Sequence, residues 1–102
     1  GVEEYAGLDS DTWVDILLID TEFLVKSVQL FLEGVYDPTT GYWLEEREYA
    51  EVRVKRENDD PSGRIIPADP NTGHGFIIQA RRLSGSNALT LYIRWIAVGD
   101  IS

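Results

Sequence analysis

Few residues in this chain can make or break bonds, and their surroundings limit them further. His74 is the single imidazole. It stands between Gly73 and Gly75 at the expected start of a strand, where it would either touch a ligand or rest in solvent. Cysteine is absent, which removes disulfides, thiolate metal ligands and a cysteine nucleophile and leaves the redox compartment open. No serine sits in a nucleophile elbow, so a hydrolytic triad is not expected. Glu45, Glu46 and Glu48 bring carboxylates close in sequence. On an exposed turn they would point to different sides, unlike the facing acid pair of a glycosidase. Asp9-Ser10-Asp11 opens like a calcium loop but lacks its later glycine and closing glutamate, so turn formation is the simpler role. The expectation is a protein that is not an enzyme, with no catalytic residue, metal or cofactor. Recognition chemistry remains. Tyr42 and Trp43 follow an Asp-Pro turn as an aromatic tip that either stacks on a sugar ring or anchors its loop. Tyr42, Trp43, Arg53 and His74 are the candidate ligand-binding residues.

These residues must be positioned by strands. Leu89, Leu91, Ile93, Trp95 and Ala97 alternate with Thr90, Tyr92, Arg94, Ile96 and Val98. That period of two marks a central strand with one face on a core and the other partly covered. Residues 75–82 form the preceding strand, and Ser84-Gly85-Ser86-Asn87 is expected to turn it into the last as a C-terminal hairpin. Residues 48–56 alternate too. Ala50, Val52 and Val54 point inward, with Tyr49, Glu51, Arg53 and Lys55 outward. Upstream, residues 12–19 are apolar on both sides of the pleat apart from Asp15, Asp20-Thr21-Glu22-Phe23 breaks the pattern, and residues 25–33 resume it. A helix over residues 22–36 competes with that strand, but the period-two match is better. Residues 1–11 read as a frayed arm or short edge strand.

Asp37-Pro38-Thr39-Thr40-Gly41, Asp60-Pro61-Ser62-Gly63 and Asp69-Pro70-Asn71-Thr72-Gly73 are turn phrases. Each offers a capping Asp, a Pro with φ preset and a permissive Gly. Residues 58–71 make a long loop anchored by Ile65-Ile66, the kind of segment that carries binding on rigid β scaffolds. The sum is an all-β, single-domain antiparallel β-sandwich of about six strands over residues 1–102.

Charge narrows the partners. A net charge of -9 disfavours nucleic acid, whose phosphates need clustered Lys and Arg. Residues 1–48 hold twelve acids against two bases, and residues 49–102 six acids against seven bases. Such polarity could orient neighbouring copies or simply solvate one face. No apolar run reaches the roughly 18 residues of a membrane helix and no basic leader precedes an apolar stretch, so neither membrane insertion nor export is expected. Methionine is absent even at position 1, which fits a piece of a longer chain.

The ordered set Val52-Arg53-Val54, Thr72-Gly73-His74-Gly75-Phe76 and Arg94-Trp95-Ile96-Ala97-Val98-Gly99 resembles the H-type lectin domain and the related C-terminal tips of phage tail fibres. Trp13 to Leu18, Phe23 and the strand from Val28 to Glu33 fall in the same order, so the likeness covers most of the chain. It implies a six-stranded sandwich that assembles as a homotrimer and binds sugars, often N-acetylgalactosamine, near subunit boundaries. It further implies that Arg53 lies close to the sugar and that Tyr49, Arg53, Tyr92 and Arg94 line the contact between copies. The chain differs from the family at Leu83-Ser84-Gly85, where an aromatic or histidine tip is usual, and at Asp20-Thr21-Glu22, where an acidic sugar ligand has no match. The expectation is a receptor- or glycan-binding module on the tip of an extracellular or virion appendage. The alternative is a structural virion protein that trimerises without reading sugar.

Overall fold

The computed structural model describes residues 1–100 and is an antiparallel β protein. In chain order the elements are β1 (Val2–Leu8), β2 (Val14–Asp37), β3 (Tyr42–Leu44), the one-turn helix α1 (Glu46–Tyr49), β4 (Ala50–Val54), β5 (His74–Arg82) and β6 (Leu89–Asp100). The strands hydrogen-bond in the order β1-β6-β2-β5-β4, and β3 adds to the end of β2.

Everything hangs on β2. Its 24 residues would span ~80 Å if straight, yet the longest dimension of the molecule is 46 Å, so the strand must bend. It pairs with β5 from Val14 to Leu24 and with β6 from Leu24 to Tyr36. Asp20-Thr21-Glu22-Phe23, which breaks the apolar pattern, is therefore a corner inside one strand rather than a loop between two. Thr21 fixes the corner. Its hydroxyl donates to the Phe23 carbonyl at 2.8 Å and accepts the Gly75 N–H at 2.9 Å. Gly75 has φ +82°, and a Cβ there would collide with the Ile19 carbonyl. The competing helix over residues 22–36 does not form.

The corner folds the sheet so that β1, β6 and the end of β2 lie over β4, β5 and its beginning. Phe76 of β5 meets Trp95 of β6 edge to face at 5.2 Å, although the two strands are not hydrogen-bonded neighbours. Between the layers, Leu8, Val35, Phe76, Ile78, Leu91 and Ile93 are fully buried. Each contributes about 1.5–3 kcal/mol by leaving water. The inward alternation expected for β4 and β6 holds for Ala50, Val54, Leu89, Leu91 and Ile93.

Two local expectations are corrected. β5 and β6 do not form a hairpin: β5 pairs with β2 and β4, and β6 with β1 and β2, so residues 83–88 cross between layers. Tyr49 does not belong to an outward row, because it ends α1 and packs against the core. The turn aspartates behave as expected, and Gly41 and Gly73, though not Gly63, take positive φ. Asp37, Asp60 and Asp69 each accept a backbone N–H two residues on, at 2.9 Å. Ile65 anchors the long loop against the core. Residues 2–8 are the edge strand of the two readings offered for the N-terminal arm.

Candidate ligand-binding site

The Asp37 turn reverses the chain so that Tyr36 and Trp43 become cross-strand partners on the outer face of the β1, β6 and β2 layer. Asp37 holds the turn. One carboxylate oxygen accepts from Thr39 N–H at 2.9 Å, and the other accepts from Asn87 Nδ2 at 3.0 Å. The Asn87 bond, with those from Thr39 and Thr40, keeps its carboxyl below the ordinary aspartate range.

On this base sits an aromatic cluster. The Trp43 ring lies 5.0 Å from Tyr36 and 5.3 Å from Tyr92 by centroids, tilted at 55° and 43°. Gly34 makes room for it, since a Cβ at that position would stand 2.9 Å from Trp43 Cζ3. Trp43 is thus supported along one side yet 62% exposed, and Tyr42 beside it is 69% exposed. A hydrogen bond to Glu4, with help from desolvation and the Glu4 charge, pushes the Tyr92 phenol above its usual value, so it remains a neutral donor. The arrangement offers a flat apolar ring bordered by phenols, able to stack on an apolar sugar face or another ring.

Arg53 is elsewhere. Alternation places it on the opposite outer face, formed by β4, β5 and the start of β2. Its Nε donates to Gln79 Oε1 at 2.8 Å, its Nη2 to Asp59 at 3.2 Å, and its guanidinium rests 4.1 Å from the centroid of Trp13. Arg81 also lies over Trp13, at 4.9 Å. Gln79 Nε2 then donates to Asp15 at 2.9 Å, and Lys55 donates to the same carboxylate at 2.9 Å. These bonds, that from Gln79 foremost, hold the Asp15 carboxyl low. The result is a cross-strand network that braces β4, β5 and β2 and engages Nε and Nη2 of Arg53.

His74 lies in a third place, where the Asp69 turn enters β5. Its N–H donates to Thr72 Oγ1 at 3.2 Å, and its carbonyl accepts the Asp69 N–H at 3.0 Å. Five strand positions, ~16 Å, separate it from Gln79, the partner of Arg53. Trp43 therefore carries the candidate site, Tyr42 pairs with Asp37 and by alternation points to the other side of β3, and Arg53 and His74 stand apart from the site and from each other. Of the expected contact residues, Tyr92 and Arg94 share the Trp43 face, where Arg94 covers the Phe31 ring at 4.5 Å and donates to Glu33 at 2.9 Å. Arg53 is on the other face and Tyr49 is against the core.

Sequence reasoning passed over Tyr36 and Gly34 as members of the site. Their signal was present: a glycine inside an apolar strand marks a close approach, and aromatics on either side of an Asp-Pro turn are poised to pair. Comparison of the chain with known protein families, with curated proteins and with solved structures finds no match.

Proposed function

We propose that this chain is a non-catalytic module that binds a glycan or glycosylated receptor through the Trp43 surface. The supporting observation is the platform itself: an indole braced by Tyr36, Tyr92 and the gap at Gly34, yet mostly open to solvent. Holding an exposed indole in one orientation is useful when the ring is a contact surface, because little freedom is then lost on binding. The resemblance to H-type lectins and phage tail-fibre tips rests on the residue pattern alone and points the same way, to a trimer displayed outside the cell or on a virion. Three weak sites on one assembly would gain from multivalency. A glycan array read with the wild-type protein and Trp43→Ala tests the reading. Hits that vanish in the variant support it, and an empty array counts against it.

A second reading is an appendage assembly protein that associates without binding sugar. It is favoured by the exposed apolar residues Val2, Phe31, Ile96 and Val98 on the outer face of β1, β6 and β2. Isolated surface apolars are ordinary, but a contiguous set on one sheet face usually marks a contact.

A further inference from the structure

Between the point where β2 leaves β5 and the point where it meets β3, residues 25–33 bond only to β6 among the described residues. Their other edge carries no strand, and open space follows it. A recess of about 490 Å³ lies beside Leu24, Val25 and Lys26, one of about 310 Å³ beside Val28 and Leu30, and one of about 740 Å³ beside Leu30 to Glu33. In the first two the opposite bank includes Ile65, Pro67, Val52 and Val54, so the trough is aliphatic along much of its length. The edge residues span ~30 Å, the reach of a short extended peptide.

Charge marks one end of this trough. Lys26, Arg56 and Arg64 line the first recess and no acid does, on a chain whose net charge is -9. Arg56 is half-buried, and its Nη1 donates to the neutral Gly63 carbonyl at 2.9 Å. Among the described residues no carboxylate pairs with it. Lys26 reaches Asp100 only at 3.8 Å, with both side chains largely in solvent. Arg64 is engaged by Glu57. A half-buried guanidinium bonded to a neutral carbonyl favours an incoming carboxylate. Arg56 also borders the next recess, which holds Arg53, Asp59 and Asp60, so the preference for an acid applies on its Lys26 side.

We propose that this trough docks an extended peptide by strand addition to β2, its aliphatic side chains over Val28, Leu30 and Val52 and an acidic side chain at Arg56 and Lys26. Main-chain bonds along the edge give affinity, and the carboxylate fixes direction and register. A row of backbone amides is what an unpaired strand edge recognises and a saccharide lacks, so this surface is separate from the Trp43 platform and adds a protein partner to it.

The test uses labelled, end-capped peptides that alternate valine and threonine and carry either glutamate or lysine at one end. Fluorescence polarisation and amide exchange are read on the wild-type protein, Arg56→Gln and Lys26→Gln. The glutamate peptide is expected to bind roughly tenfold or more tightly than the lysine peptide. It should slow exchange within residues 25–33 and lose its advantage in either folded variant. Should Arg56→Gln fail to fold, the exposed Lys26→Gln carries the comparison. Equal binding of the two peptides, no protection of residues 25–33, or folded variants that keep the glutamate preference would overturn the proposal.

Discussion

At the scale of single residues, the smallest side chain at the site has the largest steric role. Gly34→Ala drives a methyl group into Trp43, which must tilt away from Tyr36 and Tyr92. The expected outcome is a shifted tryptophan emission and roughly tenfold weaker glycan binding, with a stability change of about 1 kcal/mol by thermal unfolding. Retained affinity would mean that the ring orientation is irrelevant. The aspartates set the response to acid. Asp15, Asp37, Asp60 and Asp69 all have carboxyls held below the ordinary value, chiefly by hydrogen bonds to the ionised form. A depressed folded-state pKa gives stability that is complete above the unfolded value of about 3.9 and is lost as pH falls through the folded value. The melting temperature should therefore be level near neutrality and drop below about pH 4. Asp37→Asn should start lower and fall less steeply. These Asp-Pro turns were legible because their mechanism lies within a few residues of sequence.

At the scale of elements, β2 organises the molecule and its corner is the sensitive point. Gly75→Ala sets a methyl group against the Ile19 carbonyl in a backbone region that L-residues avoid. It is expected to cost about 2–4 kcal/mol, read by chemical denaturation. A near-neutral result would show that the corner is soft. The strand segments were legible from their period of two, and so was the side of β6 that faces the core. Partner choice was not. A sequence break of Asp, Thr and Glu looks the same whether the chain loops out or bends within a sheet, and only Gly75 and Thr21, 54 residues apart, decide between them. The assumed β5–β6 hairpin failed for a related reason: a Ser-Gly-Ser-Asn segment permits reversal but equally permits a crossing between layers. Tyr49 was placed outward because alternation was extended one residue past the start of β4, into α1.

At the scale of the whole molecule, the two outer faces differ in kind. One braces Arg53, Trp13, Gln79 and Asp15 in a charged network, and the other bears the aromatic platform and the apolar residues of β6. If the chain self-associates as proposed, this asymmetry makes the second face the expected contact. Ile96→Glu should convert an oligomer at micromolar concentration to a monomer by native mass spectrometry without loss of fold, whereas a monomeric wild-type protein would contradict the assignment. The all-β class and single core were legible from composition and alternation. The separation of Arg53, His74 and Trp43 was not, since it depends on which layer each strand joins. The most direct measurement is tryptophan-monitored titration with the glycans that score on an array, comparing wild type with Trp43→Ala. Saturable binding by the wild type and none by a folded variant is predicted, and equal binding by both would contradict a Trp43 site.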